Sequence, residues 1–209
     1  MSYISLIANA VIGFIYVPLL LRFMGQEEYG LYQLMGAFIA YFSVMDFGLS
    51  STIVRYFSKY KALDDRKSME NVLALSALIY FIITLLMLVV GWICYVNLGG
   101  IFENSLTPAE LDSAKKIFVV LLINIVITIP SKIFDAVIIS YERFVYLKLV
   151  TILQVLAQPF VVIAVMQRYP YALGLVIVQT VFNFLLILAK AVYSLGKLRM
   201  KIRLHAFDR

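Results

Sequence analysis

Long apolar stretches recur along the whole chain and are separated by short charged connections. Each stretch has about 20 to 27 residues, enough for a helix to cross the roughly 30 Å hydrocarbon core of a bilayer. This pattern predicts an all-α integral membrane protein, a six-helix transmembrane bundle followed by a basic tail at 197–209. The six predicted spans are 3–23, 30–53, 72–98, 117–140, 146–166 and 171–195.

The composition supports a membrane environment and leaves little room for a cofactor. Hydrophobic residues make up 63% of the chain and charged residues only 14%, with a mean hydropathy of +0.95. A soluble domain is nearer half apolar and a quarter charged, so the apolar surplus must face lipid. The one cysteine, Cys94, and the one histidine, His205, form neither a disulfide framework nor a metal cluster. We therefore expect no metal and no cofactor.

The basic residues are distributed unevenly between the two ends of the predicted bundle. Of the 18 lysines and arginines, 12 fall in the segment 54–71, in or next to the connection after the fourth span, or in the tail. Because basic residues accumulate on the cytoplasmic side of a membrane protein, both termini are predicted to be cytoplasmic. The net charge of +6 does not indicate nucleic acid, since these residues punctuate apolar spans and form no continuous stripe.

Four charged residues lie in the interior of the predicted spans, away from the span ends. Asp46 lies in the stretch "YFSVMDFGLSS", Lys132 and Asp135 lie in the fourth span, and Lys190 lies in the sixth. All are at similar depth, in the third nearest the cytoplasm. A charge at the centre of a membrane helix costs about 2.5–3.5 kcal/mol, so such groups usually face a polar cavity or pair with one another.

Uncharged polar residues follow helical spacing on several spans. The members of these stripes that we predict to be site residues are Asn9, Asn124, Gln154, Gln158 and Asn183. Together with the charges they predict a hydrated pathway between the helices. A second interpretation stays open: polar side chains can simply join helices, Lys132 can pair with Asp135 one turn away, and Lys190 can reach the headgroups.

The stretch from Pro18 to Tyr60 resembles a known family. Its features are Pro18, the run Arg22-Phe23-Met24-Gly25, the sequence "EEYGLY", the motif "DFGL" at 46–49, and Arg55. This stretch is similar to the start of bacterial polysaccharide-biosynthesis membrane proteins, the O-antigen type flippases of the MATE-like exporter superfamily. The similarity is specific over about 45 residues; elsewhere it rests on span number and loop sizes.

The resemblance implies a transporter in the bacterial cytoplasmic membrane that moves isoprenoid-pyrophosphate-linked oligosaccharides from the inner to the outer leaflet. It also implies two six-helix lobes around a cavity with alternating access, and polysaccharide assembly enzymes as possible partners. Only six spans are predicted here, which corresponds to one lobe. We therefore expect a truncated product, one half of a split transporter, or a subunit that pairs with a second chain.

Roles for the site residues follow from this resemblance. Arg55 and Lys59 are expected to attract the anionic pyrophosphate, and Lys132 and Lys190 to receive it deeper in the membrane. Asp46 and Asp135 would keep these cations ionised or carry a coupled proton or cation. Hydrogen bonds to sugar hydroxyls are expected from Asn9, Asn124, Gln154, Gln158 and Asn183.

Three other function classes remain as alternatives. An intramembrane enzyme needs clustered carboxylates, a histidine–aspartate pair or a metal set; only Asp46 and Asp135 lie at one depth, so we expect no enzyme. A cation-coupled drug exporter would need acids to dominate its cavity, whereas two lysines balance two aspartates in these spans. An inactive half-transporter with a structural or partner-binding role is the third alternative.

Overall fold

The computed structural model describes residues 2–103, 105–198, 200 and 202–203, with side chains from residue 13 onward except residue 15. The side chain of Asn9 and all of His205 lie outside the described residues. All regular structure within this part of the chain is helical. The helices are α1 (Ser2–Ala40), a 3₁₀ segment (Tyr41–Asp46), α2 (Leu49–Ala62), α3 (Arg66–Phe102), α4 (Pro108–Ser140), α5 (Phe144–Met166), α6 (Ala172–Val192) and a π-helical turn (Tyr193–Lys197).

The first long helix is interrupted at Gly25. Its backbone there has φ 80° and ψ 172°, outside the helical region and accessible mainly to glycine. Tyr16 and Tyr32, on either side of the break, pack against one apolar cluster that includes Leu20 and Met24, and the two tyrosines lie close enough to interact electrostatically. In a straight helix these tyrosines would be about 24 Å apart. The chain therefore folds back on itself at Gly25.

A second interruption follows Asp46, inside the stretch 30–53 that was predicted as one span. The chain tightens into the 3₁₀ segment, and then Phe47 (φ 46°) and Gly48 (φ 72°) both adopt left-handed conformations before α2 begins. Glycine accepts this conformation readily, whereas a residue with a Cβ is strained there by about 1–2 kcal/mol. The sequence motif "DFGL" therefore marks a helix break, not a helix interior.

The connections are shorter than the sequence suggested. The segment 54–71, between the second and third predicted spans, is helical except for residues 63–65, where the Asp65 carboxylate caps α3 by accepting from the Ser68 N–H. Thr107 and Glu110 form a capping box, with Pro108 as the first helical residue. Helix α4 starts at that point and continues through the fourth predicted span.

Helix α4 lies at the centre of the bundle and packs against α1, α2, α3 and α6. The core around it includes Tyr80, Phe118, Met35 and Ile133. The turns at residues 63–65 and 141–143 lie at one end of the bundle, where the Lys61 ammonium donates to the Ser140 carbonyl. We call this the basic end, because it carries most of the described lysines and arginines.

Five helical segments of the described chain are long and apolar enough to cross a membrane, and most of their residues are not buried inside the bundle. Exposed leucine, isoleucine, valine and phenylalanine side chains cover the outside of α3, α5 and α6. The first candidate segment, Tyr16–Ala62, has 47 residues and passes through both breaks. Since it counts as one segment, the prediction of six crossings is not confirmed.

Candidate functional site

Asp46 lies between α3 and α4 with both carboxylate oxygens occupied. The Tyr80 hydroxyl donates to Oδ1 at 2.9 Å, and the Lys132 ammonium lies 3.1 Å from Oδ2. The carboxylate reaches this position because the 3₁₀ segment and the break at Gly48 end the first helical run directly after it. The Asp46 side chain is 14% exposed and that of Lys132 31%. A charge so removed from solvent needs the partner it has here.

A second ion pair joins α4 to α6. The Lys190 ammonium lies 2.8 Å from Asp135 Oδ1, and their side chains are 13% and 27% exposed. Lys132 and Asp135 are therefore each paired with a different part of the chain and not with each other. The two pairs tie α4 to the 3₁₀ segment on one side and to α6 on the other.

These four residues line one cavity of about 780 Å³. It is bounded by the break after Asp46 and by parts of α2, α4, α5 and α6. Lys148, at the start of α5, also faces it, so the described lining holds three amines and two carboxylates. Its other members are Gly48, Ser50, Ser51, Val54, Ile139, Phe144, Leu147 and Thr151.

The uncharged polar residues of α4, Asn124 and Thr128, form hydrogen bonds with α6 instead of facing the cavity. Asn183 of α6 donates to Asn124 Oδ1 at 3.1 Å and to Thr128 Oγ1 at 2.6 Å. Asn124 in turn donates to Thr180 Oγ1 at 3.1 Å. These side chains satisfy one another across the α4–α6 contact, and none of them lines the cavity that holds the charges.

The other predicted site residues whose side chains are described lie away from that cavity. Gln154 donates to Gln158 at 3.2 Å, one turn along α5. Arg55 and Lys59 are exposed on α2, with Arg55 5.9 Å from the ring centre of Tyr56 and Lys59 5.6 Å from that of Tyr60. Of the ten predicted site residues whose side chains are described, the structure brings Asp46, Lys132, Asp135 and Lys190 together in one cavity and no others.

The model of one protein family, described as "Polysaccharide biosynthesis protein", matches residues 1–208. The chain belongs to the polysaccharide biosynthesis protein family. This confirms the resemblance seen in the residues from Pro18 to Tyr60. With its long apolar helices, this family member is a multi-pass membrane protein.

One curated relative is the Salmonella typhi protein named "Putative O-antigen transporter". It is 35% identical to this family member over 69 residues, which are 33% of the present chain. The matched region spans only 16% of the relative's own length. No solved structure matches the chain significantly.

Tyr80, which donates to Asp46, and Lys148, the third amine of the cavity, were not among the predicted site residues. Tyr80 belongs to the stripe Ser76, Tyr80 and Thr84 on the third span, the weakest polar stripe in the sequence. Lys148 was counted only as a basic residue that orients the chain. For Lys148 a signal was available, since its spacing of three residues from Thr151 places both on one face of α5.

Proposed function

We propose that this protein moves an isoprenoid-pyrophosphate-linked oligosaccharide from the inner to the outer leaflet of the bacterial cytoplasmic membrane. Membership of the polysaccharide biosynthesis family supports this proposal, as does the transporter name of the Salmonella typhi relative. The observation that carries it is the cavity in which ion pairs from separate helices meet. The protein is proposed to act as a transporter and not as an enzyme.

The charge of the cavity fits an anionic lipid head. Three lysines against two aspartates leave an excess of one positive charge among the described lining residues. A drug exporter for organic cations would need the opposite sign, so this lining favours a pyrophosphate cargo. Arg55 and Lys59, exposed on α2, would raise the local concentration of the anionic head before it enters.

The two ion pairs provide a mechanism for exchange. In the empty cavity, Asp46 and Asp135 stabilise the charged forms of Lys132 and Lys190, which would be costly to hold unpaired in a poorly solvated site. An entering pyrophosphate replaces the carboxylates as the partner of these amines. The released carboxylates then take up a proton or cation, and this uptake couples the movement of the cargo to an ion gradient.

We also propose that the chain crosses the membrane six times, with both termini in the cytoplasm. The break at Gly25 would separate the first two crossings, and the basic end would face the cytoplasm. A second six-helix lobe, supplied by another part of the protein or by a second chain, would close the open side of the cavity. Polysaccharide assembly enzymes would supply the cargo and consume it.

Deletion of the gene in its own bacterium tests this function. We expect surface polysaccharide to be lost and lipid-linked oligosaccharide to accumulate in the inner leaflet. Complementation at the native locus should restore the polymer with the wild-type gene and reduce it at least tenfold with Lys132→Ala. Lys116→Ala is the matched control, because Lys116 is an exposed amine paired with Asp112 outside the cavity.

The outcomes separate the alternatives. Unchanged surface polymer in the deletion strain, with no accumulated lipid-linked oligosaccharide, would contradict the proposal and leave a structural or partner-binding role. Loss of resistance to cationic drugs without loss of polymer would identify a drug exporter. Full activity of Lys132→Ala at the wild-type protein level would remove Lys132 from the mechanism.

A further inference from the structure

A groove of about 520 Å³ runs between α2 and α3 on the outside of the bundle. Helix α2 contributes Leu49, Ile53, Tyr56 and Tyr60 with one-face spacing, and α3 lines the other wall. The α3 residues in the wall are Lys67, Ser68, Asn71, Val72, Leu75, Ser76 and Ile79. Between Ser68 and Ile79 the wall rises about 16 Å along the helix.

The groove changes from charged to apolar along its length. Asp65, Lys67 and Ser68 line its end at the α2–α3 turn, whereas Leu75 and Ile79 line the end deeper in the bundle. Leu75 and Ile79 are 38% and 43% exposed, so the apolar half opens sideways toward the surrounding membrane. A soluble anion would leave this half unfilled, but an amphiphile would fill both halves.

The charged end favours an anion. The Asp65 carboxylate accepts from the Ser68 N–H and is engaged as the cap of α3. Lys67 is exposed at the mouth, and the Lys59 ammonium lies 5.6 Å from the ring centre of Tyr60, which lines the groove. Basic residues near a membrane surface each contribute about 1 kcal/mol of attraction for anionic lipid, or about fivefold in binding.

The groove is separate from the proposed transport cavity. Ser50, Ser51 and Val54 of α2 line the cavity, whereas Thr52, Ile53 and Tyr56 line the groove. With 100° between successive residues, these two sets occupy nearly opposite sides of the helix. An amphiphile in the groove therefore contacts the side of α2 that faces away from the proposed transport cavity.

We propose that this groove binds an anionic phospholipid from the leaflet at the basic end of the protein. The phosphate lies at Lys67 and Lys59, and the acyl chain follows Leu75 and Ile79. The bound lipid packs against α2 from behind, the helix that follows the break at Gly48. This site does not depend on the proposed cargo, only on the protein's position in a membrane.

Fluorescence quenching by brominated lipids tests the site in the full chain. Leu75→Trp, in a Trp92→Phe background, places one tryptophan in the groove. Leu153→Trp is the matched control, because Leu153 lies as far from the start of α5 as Leu75 from that of α3 and is 68% exposed. We expect brominated phosphatidylglycerol to bind about fivefold better than brominated phosphatidylcholine at Leu75→Trp, and equally at Leu153→Trp.

Variants of the basic residues then distinguish a specific lipid site from a general attraction of anionic lipid to the protein. Lys67→Ala combined with Lys59→Ala should bring the ratio at Leu75→Trp close to one, while arginine at both positions should preserve it. Lys116→Ala, at the opposite end, should change nothing. Equal binding of both lipids at Leu75→Trp, a preference of the same size at Leu153→Trp, or a preference that survives the double alanine variant would each overturn the proposal.

Discussion

Two polar regions lie along the same face of α4 and differ in what their side chains contact. Toward the basic end, Lys132 and Asp135 reach out to other segments and line an open cavity. One to two turns earlier, Asn124 and Thr128 bond to α6 and to one another. Both regions form a single stripe in the sequence. The comparison teaches that polar spacing identifies where helices meet, but not which polar groups stay available to a ligand.

Breaking the first ion pair should have the largest effect. Lys132→Ala leaves Asp46 with Tyr80 as its remaining described partner, and we expect a loss of about 2 kcal/mol, below the buried-pair range because Lys132 is partly exposed. Thermal unfolding in detergent measures this loss. The double variant Asp46→Asn with Lys132→Met should recover most of the stability while transport stays lost. Unchanged melting of Lys132→Ala would show that the pair is not formed.

A substitution at the helix break after Asp46 should have the second-largest effect on stability. Gly48→Ala places a Cβ on a left-handed residue (φ 72°), so we expect about 1.5 kcal/mol of destabilisation. Gly36→Ala is the matched control: nothing lies within 4 Å of its added Cβ, and it should stabilise α1 slightly. If both variants melted alike, the chain would not adopt the break after Asp46.

The α4–α6 amide contact should give the smallest effect. Asn183→Ala removes two donated hydrogen bonds, each worth about 0.6 kcal/mol between membrane helices, so unfolding should cost about 1 kcal/mol less. Surface polysaccharide should fall only as far as the protein level falls. Loss of polymer at an unchanged protein level would instead support the predicted role of Asn183 in binding sugar, and would weaken the contrast between the two regions.

Much of the architecture was predictable because membrane helices can be recognised in a sequence from the length and hydropathy of their apolar stretches. Polar groups at one depth also predicted a meeting point, since an isolated charge there is too costly. Partners were harder to predict: Lys132 and Asp135 are one turn apart on one helix, yet each pairs with a different segment. That choice depends on how α6 and the 3₁₀ segment pack on α4, which no local spacing encodes.

The breaks were missed for a related reason. Hydropathy averages over a turn or more, so Phe47 and Gly48 read as part of one apolar run although their backbones are left-handed. Tyr80 was undervalued because its ring is fully buried in the core while its hydroxyl alone reaches Asp46. A residue that serves both packing and polar contact gives a weak periodic signal.

Water access to the charged cavity is the most direct test. In a Cys94→Ala background, Thr151→Cys lies in the cavity wall, and Leu153→Cys, two residues along α5, lies outside it on an exposed apolar face. A membrane-impermeant thiol reagent needs a hydrated thiolate, so in sealed vesicles that expose the basic end Thr151→Cys should react much faster than Leu153→Cys. Equal and negligible labelling of both cysteines would contradict a hydrated cavity between these helices.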